Sequence, residues 1–251
     1  MRIAYTNAID AVAASSVTAL TVVTGYEASN LQDQRLSTTW RSTALTAQTI
    51  IIDLGTAQSI TTAAIINHNI TAAASTITVM ACTTSTFAGA TTQTFAYSAN
   101  MILKFFTAEV YRWWKFTIDD QTNHDGYLEV GRVWLGNYID INPSSMLEFT
   151  VAKKRNDRVV HGRGQQKFAS VGVGWREFKL TFPPSETAMV DSILTMYDTV
   201  GNHSSVIFCN FDSIRDYTIV EPCYCSISNE MDFQHTERQK YTYALNLVEE
   251  K

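Results

Sequence analysis

The sequence predicts a mainly β protein: a β-sandwich in its first half, then a second β-sandwich or barrel flanked by one α-helix. Three observations carry this. Short apolar or alternating runs recur between turn residues through the first 138 positions. Strict period-two alternation returns at Phe178–Phe182 and Tyr241–Leu247. One stretch alone, opening at Pro183-Pro184-Ser185-Glu186, carries a helical stripe.

In the first half, Ile50–Leu54 is an apolar run stopped by Gly55, and Ala63–Ile66 ends at Asn67-His68-Asn69. Thr76–Met80 alternates. Tyr111–Ile118 is rich in aromatic and β-branched residues and stops at Asp119-Asp120; Leu128–Gly136 follows. Such spacing without long helical periods indicates a sandwich. In the second half a strand starts in Met146–Val151, and a charged, glycine-bearing stretch runs from Lys153 to Lys167. Trp175–Phe182 reads as a half-buried antiparallel strand. The helix takes Ser185 as its N-cap, Met189, Val190, Ile193, Leu194 and Tyr197 as its apolar stripe, and Gly201 as its C-terminal stop. Val206–Phe208 is a further strand.

The chain has 251 residues, enough for one large β-domain or two medium ones, with 17% charged residues and a formal net charge of -5. Residues 54–103 contain no Asp, Glu, Lys or Arg, whereas charges are frequent after Pro143. This shift suggests two domains, 1–138 and 139–251, with different surroundings. A neutral, Thr-rich surface suits a protein covered in an assembly. No block of like charge supports nucleic-acid binding. Cys82, Cys209, Cys223 and Cys225 include one close pair, which fits packed thiols better than a zinc site. Asp10 interrupts the one candidate signal stretch, and no run reaches the roughly 18 apolar residues that span a bilayer. The expectation is a protein made in a cytoplasm, with no membrane insertion.

Enzymatic motifs are absent. There is no Gly-x-Ser-x-Gly elbow, no phosphate loop with Gly-Lys-Ser/Thr and no His-Glu-x-x-His. The five histidines are scattered. A non-enzymatic protein with no cofactor and no metal is expected. The polar groups suited to a ligand are His68 and Asn69 at one turn and Asn123 and His124 at another; the same residues also suit plain turns.

The order ASNLQDQRLSTTWRS, IIIDLG, IINHN, YRWWKFTI, YLEVGRVWLG resembles the discoidin (galactose-binding-like) jelly roll, over residues 1–138. The resemblance implies loops at one end of the sandwich that bind glycans, phospholipids or proteins. It places Trp40 under the core, with Arg41 and Asp53 able to pair near it, and Gly55 and Gly136 in conformations other residues resist. Some members hold calcium in the loop before the Trp, where Asn30 and Asp33 lie; one carboxylate is thin for that ion.

The basic hairpin from Lys153 to Gly174, the Trp-Arg strand, the Pro-Ser-Glu helix start and the final strand resemble the tail-tube-like domain of tailed bacteriophages, over residues 145–250. That resemblance implies a homo-oligomeric ring in which Lys153, Lys154, Arg155, Arg158, His161 and Arg163 sit on an inter-subunit or lumen-facing arm. Together the two halves suggest a virion structural protein of a phage tail tip or baseplate (a distal tail protein), assembled in the host cytoplasm beside other tail proteins. The alternatives are a carbohydrate-binding or receptor-binding protein that contacts host glycan, and a capsid-decorating protein.

Overall fold

The computed structural model describes residues 1–141, 148–161, 163, 165–210, 221–228, 230–237 and 240–251. Met146, Gly162 and Gly164 of the predicted strand and hairpin lie outside these. The first half holds β1 (Arg2–Asn7), β2 (Val17–Ala19), β3 (Trp40–Arg41), β4 (Gln48–His68), β5 (Thr76–Cys82), β6 (Thr91–Thr94), β7 (Met101–Asp119) and β8 (Glu129–Asp140). The second holds β9 (Glu148–Arg155), β10 (Arg158–His161), β11 (Lys167–Ser170), β12 (Gly174–Glu186), α1 (Thr187–Val200), β13 (Ser205–Cys209), β14 (Cys223–Ile227), β15 (Phe233–Glu237) and β16 (Lys240–Glu249).

The two predicted runs at Ile50–Leu54 and Ala63–Ile66 are limbs of one strand. β4 pairs with β7 along both limbs, and the ladder breaks between Asp53 and Gln58. Gly55 sits at that break with φ +74°, a left-handed geometry that disfavours any side chain. The first limb of β4 also takes β2, and the matching limb of β7 takes β5 and then β6. The second limb of β4 takes β8. The two limbs therefore belong to opposite layers of a sandwich. Between them lie Ile50, Ile52, Trp114 and Phe116 from one layer and Ile65 and Val133 from the other. Each such side chain contributes about 1.5–3 kcal/mol by leaving water. Trp40 is fully buried in this core, and its Nε1 donates to the Thr21 carbonyl at 3.0 Å. Ala63–Ile66 reads as an unbroken apolar run because both faces are covered: Ala64 and Ile66 pack with Ala4, Trp134, Ile207 and Tyr224 on the outer side.

Arg41 does not pair with Asp53. It is held by Glu129 at 2.8 Å, while Asp53 takes both arms of Arg112 at 2.5 and 2.6 Å across the bend. The bend carries Asp53 to the 112–113 end of β7, away from β3.

β1 is flanked by β8 on one side and β13 on the other. The sheet therefore runs unbroken from the sandwich into the second half, in the order β6-β5-β7-β4-β8-β1-β13-β14-β16-β12-β9. The 138/139 division falls within β8, whose last residues pair with β1. The second core gathers Phe178, Leu180, Phe182, Phe208, Leu245 and Leu247 under α1, which buries Val190, Ile193, Met196 and Val200. Leu194, expected in the stripe, is 36% exposed. Ser185 is not an N-cap: β12 continues to Glu186, and Ser185 pairs with Tyr241 across the sheet. Gly201 does stop the helix at φ +54°, its N–H reaching the Tyr197 carbonyl at 2.7 Å. All four cysteines are buried and outside any disulfide, with Cys223 and Cys225 on one face of β14, their sulfurs 3.0 Å apart.

Candidate binding sites

The loop end of the sandwich brings Asn69 and Asn123 together. The Asn123 Nδ2 donates to the Asn69 carbonyl at 2.8 Å. The Asn69 Nδ2 donates to Asp125 and to the Tyr127 carbonyl, and its Oδ1 accepts from the Glu129 N–H at 2.8 Å. These two side chains hold the loop after β4 to the loop before β8. His68 lies apart from them, its Nε2 donating to the Ser98 carbonyl at 3.1 Å with Tyr97 edge-on. Burial pushes its imidazole down to about 4, against smaller upward pulls from the Ser98 and Ile70 backbone. It is neutral at neutral pH. His124 is exposed at the loop tip. Nearby, the Arg41 guanidinium lies between the rings of Tyr26 and Tyr127, 4.2 and 4.1 Å from their centroids.

Asn30 donates to the Thr39 carbonyl, and Asp33 takes a two-armed ion pair from Arg35 that lowers its carboxyl to about 2. Among the described residues no group of three His, Cys, Asp or Glu side chains is placed to hold a metal ion.

A long hairpin occupies the basic stretch from Lys153, called the arm below. β9 and β12 extend past the sheet edge into β10 and β11, a separate two-stranded ribbon. Arg158, His161 and Arg163 are exposed on it, and Lys153, Lys154 and Arg155 lie at its root. Val159, Val160, Phe168, Val171 and Val173 are also exposed there, between 48% and 75%.

A cleft of about 450 Å³ lies on the seam, where β1, β8, the β4 bend and the segment after α1 meet. The sequence pattern did not mark it. Its lining sets the neutral polar Gln34, Gln58, Ser59, Asn137, Thr199 and Ser204 beside Ala8, Ala11, Ile60 and Trp134. Asn137 is engaged, donating to the Ser59 carbonyl at 2.9 Å and accepting from Thr61. The side-chain amides of Gln34 and Gln58 make no hydrogen bond to another of the described residues. Trp134 forms part of the wall at 1% exposure, and its Nε1 is a buried donor without a partner. The one carboxylate, Asp10, is matched by the buried Arg132 at 2.5 Å; burial raises the Asp10 carboxyl, opposed by that guanidinium.

Gly136 shapes the cleft by close approach, not by a left-handed backbone. A Cβ there would stand 2.0 Å from the Thr6 carbonyl oxygen and 2.8 Å from the Trp134 Nε1. The sequence signal that marks this place is therefore the Trp134-Leu135-Gly136 run. The glutamines give none, because isolated amides have no spacing rule.

No protein-family model matches the chain, and no curated protein sequence matches it. Similar solved structures include carbohydrate-binding modules, the lectin domain of lectinolysin and a Ruminococcus gnavus GH29 fucosidase, the last matched over 27% of its own chain. Chitosan-binding module 1 from a chitosanase/glucanase of Paenibacillus sp. IK-5 is 22% identical with a TM-score of 0.44, over 53% of this chain and 99% of that one. A fucose binding module of Streptococcus pneumoniae is 12% identical with a TM-score of 0.41, over 53% and 95%. A Clostridium perfringens module in complex with GalNAc-β-1,3-galactose is 14% identical with a TM-score of 0.38, over 48% and 94%. Each similarity spans about half of this chain.

Proposed function

We propose that this chain is a non-enzymatic carbohydrate-binding protein that takes a neutral glycan in the seam cleft. The observation that carries the reading is the pair of unengaged amides, Gln34 and Gln58, in a cavity with no net charge. A sugar offers hydroxyls that donate and accept, so it calls for planar amides and hydroxyls fixed in a concave wall. The size is suitable: ligand clefts run from about 300 to 1,000 Å³. No nucleophile–base pair or metal cluster is part of the lining, so the cleft reads as a binding site without chemistry. The loop-end residues His68, Asn69 and Asn123 serve here to rigidify the sandwich.

The test is a glycan array followed by titration calorimetry with the best neutral oligosaccharide. Saturable binding should weaken at least about tenfold in Gln58→Ala and in Gln34→Ala, the loss of one to two hydrogen bonds each. Absence of binding to any glycan, or glutamine variants that bind as the parent does, would refute the reading.

A second reading is favoured by the arm. A two-stranded ribbon with no core of its own is marginal in water. Five exposed apolar residues on it fit a surface covered by another protein. This is the virion structural reading, with the arm bridging copies in a tail-tip or baseplate ring; it is compatible with glycan contact by the sandwich. Sizing of the purified chain and imaging of particles test it, and a strict monomer absent from virions would sink it.

A further inference from the structure

We infer that the sheet face at the root of the arm is an oxyanion site that takes a phosphate or sulfate group. This inference is independent of the seam cleft. A second cleft, of about 280 Å³, opens there, with Lys153, Lys154, Arg155, Gly174, Arg176, Glu249 and Lys251 along it. Strand register explains the grouping. Lys153 stands opposite Arg176, and Arg155 opposite Gly174. Residues two apart share a face, so Lys153, Arg155, Gly174 and Arg176 lie on one side of the β9–β12 ladder. Lys154 points the other way, to Glu177 at 2.6 Å.

Two like charges directly opposite each other destabilise a ladder unless a counter-charge sits with them. Arg176 has one: Glu249 accepts from its Nε at 3.0 Å, its Nη2 at 2.7 Å and its backbone N–H at 2.9 Å. That carboxylate is consumed by the buried Arg176. The Lys153 side chain has no ion pair or hydrogen bond with another of the described residues. Lys251 reaches Glu249 only at 3.9 Å, and Arg155 is held by the exposed Asp157 at 3.2 Å. Glu221, the other acid at the cleft, accepts from Asn100. Apart from Lys154, which Glu177 holds, four cations therefore face two carboxylates, both already engaged. Gly174 has no side chain, and Arg155 lies over it: a Cβ there would stand 3.4 Å from the Arg155 Cγ. Ammonium and guanidinium donors lining one cleft suit a tetrahedral oxyanion with several acceptor oxygens.

The test is calorimetric titration of the full chain at low ionic strength with inorganic phosphate, inorganic sulfate and glucose 6-phosphate. Saturable binding to phosphate or sulfate is expected, weakened at least about tenfold in Lys153→Gln and in Arg155→Gln, as for loss of one charge-assisted hydrogen bond. Lys179→Gln, an exposed lysine of β12 outside the cleft, should bind within about twofold of the parent. These side chains are exposed, so the variants fold, and an unchanged melting temperature verifies that. Tighter binding of glucose 6-phosphate assigns the site to a phosphorylated sugar; equal or weaker binding assigns it to the free anion. No saturable binding, or an equal loss in Lys179→Gln, overturns the inference.

Discussion

Replacing Asp10 by Ala isolates the ion pair beneath the seam. Arg132 is 1% exposed and donates from Nη2 to Asp10 at 2.5 Å and from Nη1 to the Gln32 carbonyl at 2.8 Å. Removing one partner of a buried pair costs about 3–5 kcal/mol, because the remaining charge stays desolvated. Two features reduce this. The Asp10 side chain is 34% exposed, so water reaches the vacated place, and the Gln32 contact survives. Asp10→Ala should therefore cost about 2–3 kcal/mol, or about 5–10 °C of melting temperature in a chain of this size. Asp10→Ala combined with Arg132→Met should recover most of that, since a buried apolar side chain beside Trp134 and Tyr224 carries no charge to compensate. Urea unfolding followed by tryptophan fluorescence and circular dichroism measures both. A cost below about 0.5 kcal/mol for the single variant, or a double variant no more stable than the single, refutes the reasoning.

Burial holds His68 neutral with its acidity displaced to about 4. Its contribution to stability is thus complete above the unfolded value near 6.5 and is lost as pH falls through that value toward 4. By linkage the loss reaches about 2–3 kcal/mol near pH 4.5, and His68→Gln should flatten this part of the urea midpoint against pH; an unchanged slope removes His68 as the cause. Gly136→Ala forces a methyl group into the Thr6 backbone at the joint between the halves and should cost at least about 2 kcal/mol in urea unfolding. A neutral result there would mean that β1 is free to shift. On the arm, Val160 and Phe168 are paired across the ribbon. If the arm docks other copies, Val160→Thr with Phe168→Thr should shift a sedimentation profile toward monomer; an unchanged profile argues against arm-mediated assembly.

Period-two runs made most strands legible, because sheet faces covered on one side must alternate. The sequence also announced the arm, through Lys153 to Lys167 and its glycines. It misplaced the start of α1: Pro183-Pro184-Ser185-Glu186 carries a helix-start composition, yet Ser185 and Glu186 are held in the sheet by Tyr241 and Lys240. Tertiary pairing overrode local propensity there. β1 was silent, since Arg2–Asn7 shows neither period cleanly, although it joins both cores. The cleft was illegible for a related reason. Its lining comes from five separate segments, and only folding brings Gln34 within one cavity of Gln58 and Ser204. His68, Asn69 and Asn123 were visible as polar turn residues, but no pattern tells a ligand donor from a loop staple.

Hydrogen–deuterium exchange, with and without a saturating neutral glycan from the array, tests the central claim most directly. Added protection should fall on residues 5–10, 58–60, 134–137 and 199–205, which surround the seam cleft. The loops at 69–75 and 120–128 should exchange as before. Protection confined to those loops, with the seam unchanged, would contradict the account.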